Sequence, residues 1–106
     1  MALSKNEVEY IIAKHLESNP KTQIAAIRNV VEDKLREQGV IGKQSIGNQY
    51  YTKTWEERIS NKDALLINEV FYDFLYGRII TPGIDSLNND FPWVHVSDPE
   101  KLKKYL

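Results

Sequence analysis

One hundred and six residues, 42% of them apolar and 27% charged, fit one folded domain with a core of its own and exclude a disordered chain. The absence of cysteine excludes disulfides, thiolate metal sites and thiol catalysis, and no run reaches the ~18 apolar residues of a membrane span. A formal net charge of −1 excludes nothing by itself, so nucleic-acid binding has to be argued from local charge.

Residues 1–9 lack the charged start and apolar stretch of a secretion signal, so a cytoplasmic location without a membrane partner is the expectation. Ser4 and Glu7 have the reciprocal spacing of a capping box, and Leu3 stands where it can staple onto Val8, so a helix starts near Lys5. Val8, Ile11, Ile12 and Leu16 then recur as one buried face until Ser18-Asn19-Pro20 stops it. Asn19 and Pro20 read as the N-cap and first turn of a second helix. Its apolar stripe is Ile24, Ile27, Val30, Val31 and Leu35, and Glu32 lies one turn from Arg36 on the wet side. Gly39 is the expected left-handed stop, with Val40 folding back on the last turn.

Residues 40–53 interrupt every period, which predicts a loop with one short strand at 40–41. Thr54 and Glu57 repeat the capping-box spacing and predict a brief helix through Ile59. A longer helix follows over about 62–76. Leu66, Ile67, Val70, Phe71, Phe74 and Leu75 cover more than half its circumference, the mark of a central helix, and Gly77 closes it. Residues 79–81 read as a strand, Pro82-Gly83 as a turn, and Trp93–Val96 as a second strand with its valines on one face. Asp98-Pro99-Glu100 opens a terminal helix in which Leu102, Tyr105 and Leu106 dock.

The fold class is therefore mainly α with a small β-hairpin, an α+β domain. A long helix leading through Gly77 into a hairpin of Arg78-Ile79-Ile80-Thr81 and Trp93-Val94-His95-Val96 resembles the winged helix-turn-helix superfamily. The likeness covers about residues 61–97 and, by helix order alone, the first half. The resemblance implies a winged-helix-like single domain over residues 1–106 that binds DNA in transcription regulation. A recognition helix would enter the major groove and the hairpin would act as a wing on the backbone or minor groove.

Local charge points elsewhere. Residues 21–62 carry eight Lys or Arg against five Asp or Glu, whereas residues 63–98 carry Arg78 alone against six acids. Phosphate contact supplies much of a DNA binder's affinity, so acids on the long helix (Asp63, Glu69, Asp73) and the hairpin (Asp85, Asp90, Asp98) suit those elements poorly to DNA. The nucleic-acid candidates lie earlier: Lys43, Lys53, Arg58 and Lys62 interleave with Tyr50, Tyr51 and Trp55, and Arg28 and Arg36 extend the set. Large aromatics are mostly buried, so the expectation for Tyr50, Tyr51 and Trp55 is that they anchor the loop to the core, with an exposed binding surface as the alternative.

Catalysis has no constellation of acid, base or nucleophile, so no enzyme, cofactor or metal is expected. His15 lies beside the buried stripe and reads as a hydrogen-bonded packing residue. Asp85, Asn88, Asn89 and Asp90 lack calcium-hand spacing and read as turn formers. Phe91-Pro92-Trp93 reads as a clamp on the core, with an exposed patch as the alternative. Two functions follow from these residues. The first is a nucleic-acid-binding module. The second is a protein-interaction or assembly module without nucleic-acid contact, in which Asp85, Asp90, Phe91 and Trp93 meet another protein or a second copy.

Overall fold

The computed structural model describes residues 3–47 and 50–106 and shows the expected α+β fold. Helix α1 (Lys5–Ser18) begins with a complete capping box: the Ser4 hydroxyl accepts from the Glu7 amide at 3.2 Å, and the Glu7 carboxylate accepts from the Ser4 amide at 3.1 Å. Val8, Ile12, Ala13 and Leu16 are its buried face. Asn19 does not open the second helix. It caps the first, its side-chain amide donating to the His15 carbonyl at 3.1 Å.

Lys21–Gln23 instead form strand β1, and helix α2 (Ile24–Glu37) starts with Gln23 as an N-cap that makes no side-chain bond. The cause is tertiary. The Ile24 amide, one of the helix's unpaired donors, is satisfied at 3.0 Å by the Pro92 carbonyl from a remote loop, which local pattern cannot announce. Ile27, Val31 and Leu35 are buried as expected. The stop is a Schellman motif: Gly39 lies at φ +75°, its amide reaches the Arg36 carbonyl at 3.1 Å, and the Val40 amide reaches the Leu35 carbonyl at 3.0 Å. Arg36 pairs with Asp33 at 3.0 Å rather than with Glu32.

Residues 42–57 depart most from expectation. Strand β2 (Gly42–Gly47) and strand β3 (Thr52–Glu57) form an antiparallel ribbon, registered from Gly42 opposite Glu57 to Gly47 opposite Thr52. There is no brief helix over 54–59, and the strand lies beyond residues 40–41; Asn48 and Gln49 of the expected loop fall outside the described residues. The two strands contact each other far more than the body, and all of β3 is exposed. The ribbon projects as an arm, which accounts for extents of 59 × 30 × 22 Å and a Cα radius of gyration of 16.6 Å. A compact chain of about 100 residues has a radius near 13 Å.

Helix α3 (Asn61–Tyr76) is capped by the Ser60 hydroxyl, which accepts from the Asp63 amide at 3.1 Å. Its apolar arc is buried as expected, but α3 is not wrapped all round: Leu65, Tyr72 and Tyr76 stay exposed, and α1, packed on α2, α3 and the C-terminal helix, holds the central place. Ile67, Val70, Phe71 and Phe74 are buried, Leu66 and Leu75 pack at the margin, and the Phe74 ring lies 4.8 Å from that of Tyr105. Lys5 ties α1 to α3 through Glu69 and Asp73, each at 3.1 Å. At its end Gly77 stays right-handed and Arg78 takes the left-handed position at φ +62°.

Strand β4 (Ile80–Pro82) and strand β5 (Trp93–Val96) follow, and the sheet order is β1-β5-β4, antiparallel throughout, with Thr22 opposite Val94 and Ile80 opposite Val96. Helix α4 (Pro99–Leu102), capped by Asp98, and a 3-10 turn (Lys103–Tyr105) close the core with Leu102. Among the described residues no helix is long and apolar enough to cross a membrane.

Candidate interaction surface

Residues directly opposite in an antiparallel ribbon share a face. The register therefore places Lys43, Ser45, Thr54 and Glu56 on one face of the arm, and Gln44, Ile46, Lys53, Trp55 and Glu57 on the other. Among the described residues the second face is largely open: Ile46 is 65% exposed and Trp55 40%. Tyr50 and Tyr51, at 83% and 67%, are exposed as well, so the expected anchoring of these aromatics in the core is overturned. Anchoring would need the ribbon to lie against the body; it stands off instead. The Trp55 indole N–H donates to the Glu57 carboxylate at 3.0 Å along the same face.

The cations expected to bind nucleic acid do not converge. Lys43 stands opposite Glu56, on the reverse face from Lys53. Arg58 follows β3, and Lys62 lies in the first turn of α3, both exposed. Arg28 donates to the Asn68 side-chain oxygen at 3.0 Å across a cleft of about 230 Å³ between α2 and α3, and Arg36 is held by Asp33. Two of the six are thus engaged beside the body, and the two arm lysines face opposite ways.

The long β4–β5 link is shaped by its own side chains. The Asp85 carboxylate accepts from the Asn88 amide at 2.8 Å and the Leu87 amide at 2.9 Å, and these bonds, Asn88's first, hold its pKa below the usual value. Asp90 accepts from the Phe91 amide at 2.7 Å. Phe91 itself is 46% exposed while Trp93 is half-buried, so the clamp runs through backbone, Pro92 to Ile24, and leaves the Phe91 ring outside. Gly83, at φ +95°, admits no side chain, because a Cβ there would lie 2.7 Å from the Asn89 backbone.

Both histidines serve packing. The His15 ring nitrogen Nε2 meets the Thr22 hydroxyl at 3.3 Å, joining α1 to β1, and burial lowers its pKa. His95 Nδ1 donates to the Gly83 carbonyl at 2.6 Å. Among the described residues no group of three or more His, Asp or Glu is placed to hold a metal.

One surface escaped the sequence reading. Leu65, Tyr72 and Tyr76 are exposed along the outward side of α3 beside Glu69, and the rings of Tyr72 and Tyr76 lie 6.0 Å apart. The signal was three large apolar side chains, Leu65, Tyr72 and Tyr76, lying outside the arc that packs on the core. Comparison with family models, with curated proteins and with solved structures finds no match to this chain.

Proposed function

We propose that this chain is a protein-interaction and assembly module built on a winged-helix-like scaffold and working through the β2–β3 arm. The scaffold reading is supported by the order α1, β1, α2, α3, β4, β5 with β5 between β1 and β4, into which the arm is inserted between α2 and α3. The functional reading rests on one observation: Ile46 and Trp55 are diagonal neighbours on a solvent-facing ribbon that stands clear of the body. A lone two-stranded ribbon is marginally stable in water, and apolar side chains left outside on one mark a place where a partner docks. The outward side of α3 agrees, since its exposed Leu65, Tyr72 and Tyr76 suit a protein surface.

Cross-linked capture from cells that express the chain tests this reading, with wild type set against Ile46→Ser/Trp55→Ser. A protein partner, or a second copy, captured by wild type and lost in the variant is expected. No arm-dependent capture of either kind overturns it.

The exposure of Tyr50, Tyr51 and Trp55 among Lys43, Lys53, Arg58 and Lys62 favours a second reading, a flexible nucleic-acid surface. That reading requires affinity for single-stranded DNA or RNA that falls steeply with salt and is abolished by Lys53→Glu/Arg58→Glu in a polarisation assay. Salt-indifferent or absent binding removes it.

A further inference from the structure

The arm has two free edges, and they are chemically unlike. The β2 edge offers Gly42, Lys43, Gln44, Ser45, Ile46 and Gly47, with a cation and no acid. The β3 edge offers Thr52, Lys53, Thr54, Trp55, Glu56 and Glu57, with both signs of charge on one strand. Exposed edges of this kind recruit further strands unless something blocks them, and β3 carries neither proline nor bulge.

We infer that the arm's partner is a second copy of this chain, joined β3 to β3 about a two-fold axis through Trp55, giving a four-stranded antiparallel sheet β2-β3-β3-β2. This inference rests on the reading of the arm as an assembly surface.

Symmetry decides the register. A two-fold axis perpendicular to the sheet pairs residues that lie on the same face, and side chains alternate faces along a strand, so the axis must pass through a residue rather than between two. Four centres keep three or more residues of β3 paired, and centring on Lys53 sets that ammonium against its own copy. Centring on Glu56 sets that carboxylate against its own copy and Trp55 against Glu57, a like-charge pair directly opposite. Centring on Thr54 sets Lys53 against Trp55 and Glu57 against Tyr51, which leaves both charges without an opposite partner across the seam. Centring on Trp55 sets Lys53 against Glu57 twice, Thr54 against Glu56 twice and Thr52 against Arg58 twice. Only the last register pairs opposite charges across the seam.

Packing agrees with charge. Lys53, Trp55 and Glu57 share the face that carries Ile46, so the two indoles meet at the axis, flanked on each side by an ion pair and by the Ile46 side chains. Aromatic pairs opposite each other in a sheet add to its stability beyond their burial. The charges that elsewhere deter edge pairing here select one partner and one register.

The cysteine-free chain makes the test direct. Residues facing across the axis have Cα atoms about 4.5–5.5 Å apart, within disulfide reach, so Trp55→Cys is expected to form a covalent dimer on mild oxidation. Glu56→Cys, which faces Thr54 of the other copy, is expected to stay monomeric under the same conditions. In sedimentation velocity over a concentration series, wild type is expected to show a reversible monomer–dimer equilibrium. Lys53→Glu weakens it at least tenfold, and Lys53→Glu/Glu57→Lys restores it. Circular dichroism on each variant shows that the body is folded, which substitutions in the arm leave intact.

A strict monomer at several hundred micromolar, equal cross-linking at positions 55 and 56, or a dimer indifferent to Lys53→Glu overturns the inference. If wild type is monomeric yet captures a different protein through Ile46 and Trp55, only self-pairing falls. If arm-dependent capture is absent as well, the assembly reading falls with it.

Discussion

At Arg78 a non-glycine residue sits in the left-handed region, where an L side chain costs about 1–2 kcal/mol. The position is held because it completes a Schellman motif: the Arg78 amide reaches the Leu75 carbonyl at 3.1 Å and the Ile79 amide the Phe74 carbonyl at 3.0 Å. Glycine removes the steric cost but gives back about 0.5–1 kcal/mol of backbone entropy. Arg78→Gly is therefore expected to stabilise the chain by roughly 0.5–1 kcal/mol in urea denaturation, and no gain or a loss would show that the exposed guanidinium contributes more than its backbone costs. His15 yields a prediction in pH. Its folded pKa lies below 6.5 because burial disfavours the imidazolium. Just below pH 6.5 the unfolded chain binds more protons than the folded one, so stability is full above 6.5, falls as pH drops through the folded value, and levels off beneath it. Wild type is expected to lose more stability than His15→Gln between pH 7.5 and 5.5, measured as the shift in urea midpoint; parallel losses would assign the acid sensitivity to other groups.

Elements were legible where a local rule and the tertiary structure agree. The Ser4–Glu7 capping box, the Gly39 stop, the arc of α3 and the Asp98 cap all act within a few residues and appear where their patterns put them. Strand β1 was not legible, since Lys21-Thr22-Gln23 carries no period and exists because β5 offers it a ladder. The arm failed for a different reason. Alternation reports one dry face, and both faces of this ribbon are wet, so Thr54 and Glu57 matched a helix-capping pattern by spacing alone. The packing of Tyr50, Tyr51 and Trp55 was read wrongly, because aromatic burial is a rule about bodies and this element stands outside one. Within α3 the contrast should be large. Phe74→Ala, at a site with no exposure, is expected to cost about 3–5 kcal/mol, while Tyr76→Ala on the same helix changes thermal stability little. Comparable losses at both positions would mean that the outward side of α3 is packed.

The whole molecule behaves as a body and an arm with separate energetics. The buried apolar residues of α1, α2, α3, the three-stranded sheet and α4 form one cluster to which β2 and β3 contribute no residue. Unfolding the ribbon therefore exposes almost no core, and its amides should exchange with solvent long before those of α3 in native-state hydrogen exchange. The same division predicts what excision does. Replacing residues 43–56 with a short Gly/Ser link keeps the Schellman stop of α2 and the Ser60 cap of α3, so both flanking helices retain their termini. The melting temperature should then change by no more than about 2 °C, against the roughly 4–8 °C that each kcal/mol of core damage produces in a domain of this size. In solution scattering on dilute samples, the radius of gyration should contract from the value set by an arm that extends the molecule to 59 Å toward the ~13 Å of a compact domain. A large fall in melting temperature on excision would mean that the ribbon braces α2 against α3. An unchanged radius would mean that it folds back on the body in solution. Either result would remove the separation on which the proposed docking role of the arm depends.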